Sequence, residues 1–248
     1  MKLKINVPWM DELLPEGLPV PSSTILSGPG GTGKPLVEFA FVSAWLKAGG
    51  TLIAIPLQYS NPKLMKTAMK KLYEVDLDEY QEKIIYIQFE PHAEECKKVN
   101  KNTIIANLLK SDEWNKTLAI AKDNLPKSDL GNMVFGSALN LLLFSPTYQK
   151  NILEKLVQLT NDRSRTYAFS VSTSAFSEKI KELEKAADNL MFTRMEKQMQ
   201  LFLKISRMKE VAFSKQEKQV PIPKEILKEI KKVAESTRDK RIPEISKI

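Results

Sequence analysis

The sequence predicts an α/β fold, a three-layer sandwich with a mostly parallel central sheet, antiparallel edge strands and a C-terminal helix. Short apolar runs rich in β-branched and aromatic residues alternate with segments of helical period, the pattern of parallel strands joined by crossovers. A glycine-rich loop, Gly28 to Lys34 (G-P-G-G-T-G-K), stands between one such run and one such segment. No internal repeat or low-complexity linker interrupts the chain. One domain over residues 1–222, with an amphipathic helix and tail over 223–248, is the economical division.

The elements follow in order. Ser23–Ser27 (S-T-I-L-S) reads as a buried strand, and Leu36–Lys47 as a helix that ends at Gly49–Gly50. Thr51–Leu57 is the second strand. In Pro62–Tyr73, Leu64, Met65, Ala68, Met69 and Leu72 share one helical face, with lysines on the other. Ile84–Phe89 is the third strand, and the stretch His92–Lys127 reads as polar and helical. Asn132–Phe135 is the fourth strand, followed by a helix over Tyr148–Thr160. Thr166–Ser172 and Leu190–Thr193 are strands around a helix at Glu178–Ala187. Gln200–Ile205 and Val211–Ile222 read as antiparallel strands at the sheet edge. In the tail, Ile226, Leu227, Ile230, Val233 and Ala234 form an apolar stripe, and Ile242–Ile248 leaves the pattern at Pro243.

Composition narrows the class. The 248 residues are 42% hydrophobic and 27% charged, which are the values of a folded globular chain. No apolar run reaches the ~18 residues of a membrane span, and no signal-peptide pattern is present, so a cytoplasmic protein is expected. One cysteine, Cys96, excludes an intramolecular disulfide framework, and one histidine, His92, argues against a histidine metal site. The net charge of +8 suits an anionic partner such as a nucleotide or nucleic acid. Its lysines are spread over several helices, however, and no basic stripe interleaved with aromatics offers a platform for single strands. DNA is therefore an unsupported partner.

The loop carries the chemistry. In G-x-x-x-x-G-K-[ST] the glycines let backbone N–H groups wrap a polyphosphate, lysine reaches its terminal phosphates, and the last hydroxyl holds Mg²⁺. Gly28, Pro29, Gly30, Gly31, Thr32, Gly33 and Lys34 complete that pattern, and Pro35 breaks it. Proline removes the hydroxyl and one N–H donor, and biases Lys34 away from helical dihedrals, although proline is tolerated in a first helical turn.

The segment N-V-P-W-M-D-E-L-L-P-E-G-L-P, running on into the strand and loop, resembles the entry to KaiC-like ATPases of the RecA superfamily. Val7–Pro8, Met10–Leu14 and Gly17–Pro19 carry that likeness. A-A-D-N-L-M-F-T-R through L-F-L-K-I-S-R-M-K-E looks like the family's late strands. The resemblance implies a RecA-like fold over about residues 4–222. It further implies ATP as ligand and assembly at subunit interfaces, as a homo-oligomer or beside an active paralogue.

It also implies which residues should act. The acidic pair that activates water falls on Gln58 and Tyr59, and the Walker B aspartate falls on Gly136, so with Pro35 three supports for metal and water are missing. Mg²⁺ is doubtful, no protein metal site is expected, and hydrolysis should be lost. Thr173 is a candidate sensor, and Arg207 and Lys209 are candidates for contact with a neighbour's γ-phosphate. The competing expectations are a working ATPase that recruits metal through Asp129 or Glu90, a recombinase-like DNA accessory protein, and a relative of the regulatory ATPase of archaeal surface filaments.

Overall fold

The computed structural model describes residues 1–59 and 62–248. A small entry unit, β1 (Lys2–Leu3), α1 (Pro8–Leu13) and β2 (Leu18–Pro19), pairs β1 with β2 antiparallel ahead of the main sheet. There follow β3 (Ser23–Ser27), α2 (Lys34–Lys47), β4 (Thr51–Pro56), α3 (Lys63–Tyr73) and β5 (Ile84–Phe89). Next come β6 (Lys97–Asn100), β7 (Thr103–Ala106), α4 (Ser111–Asp123), β8 (Asn132–Ser137) and α5 (Gln149–Asn161). The chain closes with β9 (Thr166–Ser170), α6 (Ser177–Ala186), β10 (Asn189–Glu196), β11 (Gln200–Arg207), β12 (Lys218–Gln219) and α7 (Lys224–Ile245).

The ten-stranded sheet has the order β12-β11-β10-β3-β9-β8-β4-β5-β7-β6. Its seven central strands, β10 through β7, are parallel, and the antiparallel pairs β10–β11, β11–β12 and β6–β7 lie at the edges. Two apolar layers cover its faces. One gathers α1, α2, α3 and the start of α7, and the other gathers α4, α5, α6 and Ile245 at the end of α7. Crossover helices on both faces bury the strands, which is why β3 and β9 are buried at every residue. Helix α2 is buried from Lys34 to Leu46, and a helix enclosed on all sides reads as a continuous apolar run.

Three expectations are corrected. Residues 92–127 are not helical throughout: β6 and β7 form the sheet edge before α4 begins at Ser111. The β6 residues are all exposed, two of them lysines, so an edge strand carries no apolar alternation to announce it. The expected strand Val211–Ile222 shrinks to Lys218–Gln219. Helix α7 does not end at Pro243 but runs through it to Ile245. A proline there deletes one late helical bond, and the last turn still closes through Ser246 N–H to Ile242 O at 2.9 Å.

Candidate functional site

The loop follows β3 and opens at the carboxyl ends of the parallel strands, where open α/β sheets bind ligands. Its glycines are required by geometry. Gly28 takes φ +144°, and an added Cβ would lie 2.3 Å from Thr193 O of β10. Gly33 is the N-cap of α2 at φ 76°, and an added Cβ would meet Leu227 Cδ2 of α7 at 2.9 Å. Helix α2 starts at Lys34 despite the following proline. Pro35 sits in the first turn, where a helix has no acceptor for its N–H groups, so the backbone preference against a helical Lys34 is overridden.

Lys34 is buried and its ammonium donates three bonds, to Gly28 O at 2.9 Å, Pro29 O at 2.6 Å and Thr32 Oγ1 at 3.3 Å. Burial lowers its pKa to about 8, opposed by the charge of Glu38 one turn along α2. Thr32 Oγ1 also meets Thr193 Oγ1 at 2.9 Å, which ties the loop to β10. Gly30 N–H donates to Ser174 Oγ at 3.0 Å, and Thr173 N–H to Gly28 O at 3.0 Å. A small hollow of about 30 Å³ under the loop is lined by Gly30–Pro35, Gln58, Ala138, Asn140, Ser170, Ser172 and Ile230. No Asp or Glu lines it among the described residues.

The positions named for the catalytic carboxylates divide. Gln58 lines the hollow. Tyr59 is buried behind it, and its hydroxyl has no hydrogen-bond partner among the described residues. Gly136, where the resemblance puts the Walker B aspartate and hence a place in the crevice, does not line the hollow. On β8, Phe135 packs in the α2 layer and Val134 in the opposite one, so strand alternation points Gly136 at the opposite layer. An added Cβ would lie 2.9 Å from Phe169 Cδ1 and 3.1 Å from Leu139. Ala138 and Asn140, just beyond β8, line the crevice in its place, and Asn140 Oδ1 accepts Ser172 N–H at 2.8 Å.

Glu38 was not foreseen. It is buried in α2, and neither carboxyl oxygen meets a hydrogen-bond partner in good geometry among the described residues. Burial pushes it well above the ordinary carboxylate range, opposed by the nearby Ser170 hydroxyl and the Lys34 ammonium. Burial, with Glu38 second, likewise raises Tyr59. A single acid inside L-V-E-F-A-F-V is the sequence signal that marks it.

Arg207 and Lys209 lie at the opposite end of the sheet from the loop, since Arg207 pairs with Leu190 at the start of β10. Arg207 donates to Glu184 O and Ala187 O, and Lys209 approaches Asp188 at 3.8 Å. Asp129 precedes β8 and is exposed at that same far end, and Glu90 follows β5; neither lines the hollow.

A glycine loop between the first core strand and a buried helix, with β9 inserted between that strand and β8, defines a P-loop domain of the RecA type. The family described as "ATPase: KaiC" matches residues 3–233, and the chain belongs to it. The fold is similar to that of a KaiC-like protein from the hyperthermophilic archaeon Pyrococcus horikoshii OT3. The TM-score is 0.68 with 14% identity, over 90% of this chain and 96% of that one. No protein of curated function matches the sequence. No helix among the described residues is long and apolar enough to cross a membrane.

Proposed function

We propose that this KaiC-family chain binds a nucleotide, with ATP the expected ligand, but does not hydrolyse it, and that it works as a regulatory or scaffolding subunit. The observation that carries this reading is the composition of the hollow: a glycine loop and Lys34 on one side and, among the described residues, no carboxylate on the other. The loop fits a polyphosphate. Gly31, at φ 75°, leaves room where a Cβ would meet nothing nearer than Lys231 Cγ at 3.8 Å. On binding, the Lys34 ammonium would exchange loop carbonyls for phosphate oxygens.

Mg²⁺ is a different case. It takes hard oxygen ligands, usually one or two of them carboxylates, and P-loop enzymes supply a hydroxyl and an aspartate. Pro35 offers no hydroxyl, Gln58 is neutral, and Gly136 is turned away. The residues present do not fit a protein-held Mg²⁺, and among the described residues no carboxylate that could act as a general base lines the hollow under the loop. Binding is therefore expected to be weak and nearly independent of Mg²⁺.

Arg207 and Lys209 support assembly in a qualified way. They stand at the end of the sheet away from their own loop, and both are engaged within their own chain. A ring, or a mixed complex with an active relative, would need them released.

The test is ATP turnover by the purified chain beside equilibrium binding with and without Mg²⁺. Turnover is expected far below ~1 s⁻¹, the lower end of ordinary enzymes. Pro35→Thr should tighten Mg²⁺–ATP binding without producing turnover. Turnover near 1 s⁻¹ that Lys34→Ala abolishes would instead establish a working ATPase.

A further inference from the structure

Helix α7 crosses the mouth of the phosphate loop. Ile226, Leu227 and Ile230 are buried in the α2 layer, whereas Ile245 is buried in the opposite layer, so the helix spans the carboxyl edge of the sheet from one face to the other. Its far end is fixed by Arg241, whose Nη2 donates to Phe89 O at 3.1 Å and whose guanidinium lies 5.3 Å from the Phe89 ring centre. Between these anchors, Lys231, Ala234, Glu235, Arg238 and Ile242 recur at helical spacing on one face. That face closes a cavity of about 130 Å³, whose floor includes Gly30, Gly31 and Gln58.

We propose that Lys231 and Arg238 are phosphate-binding residues that supply, from the chain's own C-terminal helix, the positive charge that a P-loop ordinarily takes from Mg²⁺. The inference rests on the polyphosphate reading above and names the groups that make binding independent of metal. A triphosphate bound to the loop needs counter-charge beyond Lys34. The two metal-holding positions that the loop and strand would offer are Pro35 and Gly136, and neither can serve. Lys231 stands directly over the loop, its Cγ and Cε 3.8 and 3.9 Å from where a Gly31 Cβ would be. Two turns further on, Arg238 faces the same cavity. Among the described residues Lys231 forms no ion pair, and Arg238 meets only its exposed neighbour Asp239, at 3.5 Å. Both are therefore free to turn toward an anion. Glu235 lies between them on the same face, so a bound phosphate chain must overcome its charge.

Electrostatic assistance and simple obstruction predict opposite signs for loss of the two cations, while both predict a gain on loss of Glu235. If α7 only covers the loop, trimming any of these side chains opens the cavity and tightens binding. If the cations hold phosphate, their loss weakens binding and loss of Glu235 strengthens it. All three residues are exposed, so the substitutions leave the core intact.

The experiment is calorimetric titration of the full chain with pyrophosphate and with ATP, in excess chelator. Expected are binding by the unmodified chain, a loss of tenfold or more in Lys231→Ala/Arg238→Ala, and a severalfold gain in Glu235→Ala. An unchanged or tighter double variant overturns the inference, and the polyphosphate reading survives if Lys34→Ala still abolishes binding. No binding by either the unmodified chain or Glu235→Ala at millimolar ligand overturns both.

Discussion

The loop side and the strand side of the crevice have diverged in different ways. On the loop side the sequence Gly28–Lys34 completes the glycine motif up to Pro35, and the packing around it depends on those residues. Gly28 admits the β10 backbone, Gly33 admits Leu227 of α7, and the Lys34 ammonium holds the loop carbonyls together. On the strand side the positions where the family resemblance puts carboxylates hold Gln58, Tyr59 and Gly136, and apolar side chains pack behind them. A Cβ added at Gly136 would meet Phe169 and Leu139 at 2.9–3.1 Å, so a larger side chain there requires repacking. A glycine motif can therefore be held by the fold as well as by a ligand.

The largest effect should come from breaking the loop side. In Gly28→Ala the new Cβ would lie 2.3 Å from a backbone oxygen, at a φ that alanine does not adopt. Strain and overpacking each cost about 1–3 kcal/mol, so a loss on the order of 3 kcal/mol or more is expected in urea unfolding. A loss below ~1 kcal/mol would mean that the loop and β10 separate readily, and that a ligand rather than packing fixes the glycine.

Sharpening the comparison from inside α2 gives the next effect. Glu38 has a native pKa raised above its unfolded value, so above pH 4.5 the unfolded chain releases a proton that the native chain keeps. Its presence costs stability progressively as pH rises from there toward the native pKa. Glu38→Gln removes that slope. At pH 4 the variant and the unmodified chain should be about equally stable. By pH 7 the variant should be measurably the more stable, because the amide carries no proton to lose. Lys34 acts oppositely and at higher pH. With a native pKa of about 8, it makes stability rise between there and its unfolded value of 10.5, so the comparison is best made below pH 8. Parallel pH profiles for the two proteins would show that Glu38 is ionised and paired in solution.

Much of this division was legible in the residues, and the unread parts share a cause. Strands β3, β4, β5 and β8 and the buried helix α2 follow from local runs of apolar residues. The loop and Pro35 follow from a contiguous motif, and Gln58 follows from the family resemblance. Edge strand β6 was missed because an exposed strand has no buried face to impose a pattern. The turning of Gly136 away from the loop is set by which face of β8 meets α2, which no local pattern records. The same holds for α7. Its stripe of Ile226, Leu227 and Ile230 announced a packed face but not that the helix would lie across the loop. Asn140, Ser172 and Ser174 are polar residues after strands, and only the sheet order brings them to the loop.

The smallest effect concerns a loop donor already engaged by a side chain. Gly30 N–H is bonded to Ser174 Oγ at 3.0 Å, on an exposed part of the loop, and a bound phosphate would compete for that donor. In Ser174→Ala the N–H is released to water at a cost of about 1 kcal/mol or less, because an exposed group is readily solvated. The same release removes a competitor of the ligand. Pyrophosphate affinity should then rise by about threefold to tenfold, equivalent to ~0.7–1.4 kcal/mol. Paired measurements of unfolding and of pyrophosphate binding give the answer. A fall in affinity would instead place the Ser174 hydroxyl among the groups that contact phosphate. The retained loop would then extend its polar surface onto the segment after β9, and the loop side of the crevice would be larger than the glycine motif alone.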